Sequence, residues 1–199
     1  MEEKIKKYFP YEKIREQQAV ALREAVNFLN SEKKYFIIEA GTGVGKSAIG
    51  YTLNKILEND SEFDDGAIFI TTQKILQDQY MRDFSKFGMR SINSSSNFQC
   101  KFFKKNTCAQ SLRLLNNTKK GSKFWNCCTI GCKYKKAKSD FIDGNIGVTN
   151  FPYFLAETQY SGKIKPKKLL VLDEAHNIPS ELSKFVEVVV TSNFCQKFL

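Results

Sequence analysis

Ala40-Gly41-Thr42-Gly43-Val44-Gly45-Lys46-Ser47 is the stretch on which the reading of this chain turns. Its glycines fall where a loop must bring backbone N–H groups inward around phosphate oxygens, a path that side chains would obstruct. The spacing is that of a P-loop, with Ala40 in place of the usual first glycine. Upstream, Tyr35 to Ala40 is a short apolar run that reads as a buried strand, and downstream Ser47 to Leu57 reads as a helix. A helix starting there aims the positive end of its dipole at a bound anion. In such a loop Lys46 reaches the β- and γ-phosphates of ATP and the Ser47 hydroxyl ligates Mg2+. A chance match is the bland alternative, and placement between a strand and a helix weighs against it.

The rest of the chain repeats that alternation. Ile14, Gln18, Leu22, Val26 and Leu29 have helical spacing. Ala67 to Thr72 reads as a strand followed by a helix from Lys74 to Phe84, and strand texture returns at Asn145–Thr149 and Lys168–Leu172. Strands alternating with helices predict an α/β fold with a parallel sheet covered on both faces. Between Ser91 and Lys138 the texture changes: a polar, turn-like SINSSSN leads into a Cys-rich basic stretch. The division expected is a discontinuous domain, residues 1–90 and 139–199, interrupted by an insertion at 91–138.

The last strand delivers Asp173-Glu174-Ala175-His176 at its C-terminal end, where open α/β sheets hold their ligands. Beside a P-loop, Asp173 would hold Mg2+ through its water shell and Glu174 would polarise the attacking water. Alone, the two acids would be an ordinary helix-start pair. His176 is the only histidine, so zinc-hydrolase and Ser-His-Asp readings would have to use it. It reads instead as a polar link from the nucleotide site to whatever moves on hydrolysis.

Charge is unevenly spread. The 199 residues carry a net +10, yet the stretch between Phe84 and Ser139 holds thirteen Lys and Arg and no acid. The remainder, eighteen basic against twenty-one acidic residues, is slightly negative. A solvated face is the plain reading of a basic run. Here Phe87, Phe98, Phe102, Phe103, Phe124, Trp125 and Tyr134 are interleaved with it, and cations beside flat rings suit single-stranded nucleic acid. Some of those rings must instead form the core of the insertion. The charged N-terminus lacks a secretory signal and no apolar run approaches ~20 residues, so an intracellular protein, with no membrane partner, is expected.

Five of six cysteines, Cys100, Cys108, Cys127, Cys128 and Cys132, lie inside the basic insertion, while Cys195 stands apart and reads as a packed apolar residue. In an intracellular protein such a cluster points to metal or redox chemistry before disulfides. No paired C-x2-C knuckles are present. On spacing alone an iron–sulfur cluster, a zinc ion and unligated thiols all stay open.

Taken together, EAGTGVGKS, ITTQKILQDQY, the Cys insertion, CKYKKAKSDFIDGNIGVTNFPYFLAE and VLDEAHN resemble the DinG/XPD-like branch of superfamily 2 DNA helicases. The resemblance covers residues 10–180. It implies a RecA-like P-loop NTPase domain interrupted by a small iron–sulfur domain, ATP and Mg2+ as ligands, and 5′→3′ movement on single-stranded DNA. It places Arg15 and Gln18 in an adenine-contacting motif, Thr71, Thr72 and Gln77 in the stretch that touches the DNA backbone, and Asn150 near the DNA path. Cys100, Cys108, Cys128 (in preference to Cys127) and Cys132 would hold a 4Fe–4S cluster.

The sequence departs from that family in its cysteine spacing and in stopping at Leu199, before the second RecA-like domain with its arginine finger. The function expected is therefore that of an ATP-dependent DNA helicase portion that binds Mg-ATP and single-stranded or forked duplex DNA. Alone it should hydrolyse ATP weakly. The location expected is cytoplasmic and nucleoid-associated, or the host cytoplasm for a viral protein. Two rivals remain: a metal-stabilised single-strand-binding P-loop module without unwinding activity, and a P-loop assembly or signalling ATPase with a zinc insertion.

Overall fold

The computed structural model describes residues 1–41, 43–60 and 66–186. Thr42 and Cys195 lie outside the described residues. The chain opens with α1 (Glu2–Tyr8), α2 (Glu16–Leu29) and α3 (Lys46–Asp60), then alternates through β1 (Ala67–Thr71), α4 (Lys74–Phe84) and β2 (Arg90–Ile92). Three helices, α5 (Cys108–Leu115), α6 (Lys123–Thr129) and α7 (Lys133–Asp143), precede β3 (Ile146–Asn150). After it come α8 (Phe151–Ala156), a π-type turn at Glu157–Ser161, β4 (Leu169–Leu172) and α9 (Ile178–Phe185). None of the described helices is long and apolar enough to cross a membrane.

The four strands form one parallel sheet in the order β2-β3-β1-β4. Strand β1 is buried along its whole length, as a central strand covered on both faces must be. Ala67 and Phe69 face one side, where Tyr51 of α3 and Tyr80 and Phe84 of α4 cover them. Ile68 and Ile70 face the other, against Phe141 of α7 and Phe151 and Tyr153 of α8. A third apolar cluster ties α1 and α2 to α3 through Ile5, Leu22, Val26 and Ile49. The α/β fold with a parallel sheet, as expected for a RecA-like domain, is what this packing builds.

Two local expectations are corrected. Tyr35 to Ala40 forms no strand: Tyr35 is 86% exposed and Ile37 89%. Phe36 stacks on Phe28 of α2 at 5.3 Å and Ile38 packs against the helical cluster, so side-chain docking on α2 takes the place of a sheet ladder. Conversely, Arg90–Ile92 is an edge strand where turn-like texture was expected at Ser91. Ile92 is buried and the Ser91 hydroxyl accepts from Gln77, which is why so polar a stretch joins the sheet.

Candidate functional site

The P-loop is shaped by two glycines in the left-handed region, Gly43 at φ 77° and Gly45 at φ 85°. At Gly45 a Cβ would run into the amide nitrogen of Gln18, so that position must be glycine on two grounds. The Gln18 side chain is buried; its nitrogen donates to the Val44 carbonyl at 2.8 Å and its oxygen accepts from the Arg15 N–H at 3.0 Å. Arg15 itself donates from its guanidinium to the Gly43 carbonyl at 2.5 Å. Both residues thus brace the loop from the start of α2, a role the sequence did not suggest. Lys46 begins α3 and lays its ammonium on the carbonyls of Ala40 (3.0 Å) and Gly41 (3.3 Å).

The loop opens on a cavity of about 500 Å³ lined by Arg15, Gln18, Gly43, Gly45, Lys46 and Ser47. Asp173 and Glu174, remote in sequence, line the same cavity from the end of β4. Parallel pairing of β4 with β1 brings them there, and the ladder continues through a 2.9 Å bond from the Asp173 N–H to the Ile70 carbonyl. Among the described residues each Asp173 oxygen has one protein donor: the Glu174 N–H at 3.0 Å and the Tyr80 hydroxyl at 3.1 Å. Burial, and then the charge of Asp173 beside it, hold the Tyr80 phenol well above its ordinary pKa, so it stays a donor. Glu174 has a left-handed backbone, φ 52°, unusual for a residue with a Cβ and a mark of local strain at this turn. Its carboxylate lies 3.4 Å from His176 Nδ1; the His176 ring is exposed and stands outside the cavity lining.

Oxygen donors at Ser47 and Asp173 suit a hard divalent cation. The turn made by Gly43 and Gly45, both at positive φ and both lining the cavity, suits a phosphate held by backbone N–H groups. Helix α4 adds a wall that sequence reading missed. Leu76, Gln79, Tyr80 and Asp83 recur at helical spacing along it and face the cavity, with Tyr11 on the N-terminal side. That stripe was the available signal.

The residues expected at DNA sit differently. Gln77 is buried and donates to Ser91 Oγ at 2.7 Å and the Ile92 carbonyl at 2.9 Å, while its oxygen accepts from Asn150 at 3.4 Å. Thr71 is buried with its hydroxyl on the Gln73 carbonyl. Asn150 caps α8 by accepting from the Tyr153 N–H at 3.0 Å. Gln77 and Asn150 knit β2, β3 and α4 together, whereas the Thr71 bond is local to the turn after β1. Thr72 Oγ1 is buried without a hydrogen-bond partner.

Between β2 and β3, Cys100, Cys108, Cys127, Cys128 and Cys132 line one small cavity. Four are buried and Cys127 is half-buried. The Phe103 N–H donates to Cys100 Sγ at 3.3 Å, and Cys108 Sγ lies 3.4 Å from Cys132 Sγ. Burial and the neighbouring thiols push Cys108 up to about 12. Among the described residues no three Cys, His or carboxylate groups are arranged to hold a single metal ion. The thiols therefore converge without forming a one-ion cage. Phe102, Phe103 and Phe124 pack together at 4.7–5.4 Å as a small core, so these rings are packed on one another rather than set out singly. Lys101, Lys104, Lys105, Lys133, Lys135 and Lys136 are exposed around this core.

A profile of the family described as "Type III restriction enzyme, res subunit" matches residues 11–199. The chain is also similar to a probable ATP-dependent helicase of Methanocaldococcus jannaschii, at 25% identity over 94% of this chain. It spans about a third, 32%, of the length of that relative.

Proposed function

We infer, for a chain that belongs to the type III restriction enzyme res-subunit family, that it is the nucleotide-binding part of a superfamily 2 ATP-dependent helicase. The observation that carries this reading is the convergence of the P-loop and the Asp173–Glu174 pair on one cavity. Lys46 swings from the loop carbonyls to the β- and γ-phosphates, and backbone N–H groups at Gly43 to Ser47 take the remaining phosphate oxygens. Ser47 and Asp173 would hold Mg2+, which would supply charge neutralisation at those oxygens. Glu174 orients the attacking water, and His176 relays the state of Glu174 outward. Arg15 and Gln18 brace the loop and lie on the wall assigned to the base.

The nucleic acid is single-stranded or forked DNA, held by the basic rim around residues 101–136 and by a second RecA-like domain that completes the ATP site. Movement in the 5′→3′ sense rests on the resemblance to the DinG/XPD-like helicases. That resemblance, together with five thiols converging on one cavity, supports residues 91–138 as an iron–sulfur domain. Cys100, Cys108, Cys128 and Cys132 would hold a 4Fe–4S cluster there, one thiolate to each iron. Soft thiolates with no carboxylate among them fit that group; the Cys108–Cys132 pair must part to admit it.

The reading is tested by binding of a fluorescent ATP analogue to the full chain and by ATP hydrolysis with and without single-stranded DNA. Magnesium-dependent binding, with weak hydrolysis that DNA stimulates, is expected. Absence of nucleotide binding would overturn it.

A further inference from the structure

Asp173 closes the outermost strand of the described sheet, laddered on one side to β1. A carboxylate on such a strand needs an anchor from elsewhere, and one residue from a helix 93 positions upstream supplies it. Tyr80 is 4% exposed, with its ring packed between Phe69 (5.3 Å) and Phe84 (5.9 Å). Its ring is thereby fixed before its hydroxyl meets Asp173 Oδ2 at 3.1 Å. The Glu174 N–H holds the other oxygen at 3.0 Å. With one donor from the described residues on each oxygen, the carboxylate plane is set, and each oxygen keeps a lone pair for a metal-bound water.

We propose that Tyr80 is a positioning residue for the magnesium site: its hydroxyl locks the Asp173 carboxylate in the orientation that receives the hydrated cation. This rests on the reading of the cavity as a Mg-ATP site. Phe at position 80 would fill the same space between Phe69 and Phe84, so the hydroxyl serves Asp173 and not the packing. A free carboxylate would have to be ordered each time the cation binds, whereas a locked one is ordered already.

The test titrates magnesium against a fluorescent ATP analogue bound to the full chain and to Tyr80→Phe. Affinity for the analogue in EDTA should match between the two. The magnesium concentration for half-maximal tightening should rise about ten- to a hundredfold in Tyr80→Phe, as loss of a hydrogen bond to a charged group implies. An unchanged or lower magnesium midpoint, with the parent chain binding normally, overturns the positioning role alone. A parent chain that binds no analogue overturns the nucleotide site and this role with it. Should Tyr80→Phe not fold, 3-fluorotyrosine placed at position 80 gives a second readout. Its fluorine resonance should move when magnesium is added to the ATP-bound chain, and a resonance indifferent to magnesium overturns the proposal.

Discussion

The amide nitrogen of Gln18 donates to the carbonyl of Val44 at 2.8 Å, so the first turn of α2 sets the path of a loop that lies 26 residues further on. The loop is thus held by a neighbouring helix as well as by its own glycines.

That brace predicts two different outcomes. Gln18→Ala removes the bonds to Val44 and from Arg15 without altering the loop's own residues, which should cost about 1–3 kcal/mol of stability and weaken ATP-analogue binding about three- to tenfold. Gly45→Ala adds a Cβ at φ 85°, which strains the loop backbone itself and also displaces the Gln18 amide. Its effect on binding should exceed that of Gln18→Ala, with thermal melting and analogue titration as the measurements; equal binding losses would count against the brace.

Lys46 is half-buried, and its ammonium donates to the Ala40 and Gly41 carbonyls of the loop. Lys46→Ala should leave the melting temperature close to that of the parent. Analogue binding should fall about ten- to a hundredfold, the scale of a lost charge-assisted contact. Unchanged binding would mean that the nucleotide lies elsewhere.

Lys138 of α7 places its ammonium 2.6 Å from both oxygens of Glu157. Burial alone would raise the Glu157 carboxyl, but the bonds from Lys138 and Ser161 outweigh it and hold the group below its ordinary 4.5. A carboxyl with a lowered folded pKa contributes stability that is present above the unfolded value and disappears as pH falls through the folded one. Lys138→Met should therefore destabilise the chain by about 1–3 kcal/mol near neutral pH. The deficit should shrink below about pH 4.5, where the parent loses the same contribution. Denaturant melts across pH read this directly, and a deficit independent of pH would deny the ion pair.

Cys128 is buried among the thiols and Cys127 is half-buried at the edge of the same cavity. If the region holds a 4Fe–4S cluster, anaerobically purified chain should carry iron and a broad absorbance near ~400 nm. Cys128→Ser should lose most of that iron while Cys127→Ser keeps it. Zinc in place of iron in the parent would reject the cluster.

How much of this was legible in the sequence varies with what holds each part. Helix α4 lies at Lys74–Phe84 as read, because periodicity and a buried partner strand agree there. The convergence of Lys46, Ser47, Asp173 and Glu174 was also legible, since parallel strands bring their C-terminal ends to one edge. Tyr35 to Ala40 misled because an apolar run does not say what it packs on; docking on α2 through Phe36 competes with sheet pairing. Gln77 misled in the opposite way, a polar residue that is buried because Ser91, Ile92 and Asn150 satisfy its amide. Tyr80 could not be singled out, because an aromatic at that spacing reads as core and only the fold reveals that its hydroxyl meets Asp173.

Strand β4 carries Leu170 and Leu172 on a face left 49% and 41% exposed, and among the described residues it is zipped to β1 along one side only. A strand fastened along a single flank bends like a cantilever, with its largest excursions at the tip. Asp173 and Glu174 stand at that tip, where the Ile70 carbonyl and the Tyr80 hydroxyl act as its stays. A partner seated on those two leucines would therefore bear on the same strand that carries the acids of the cavity.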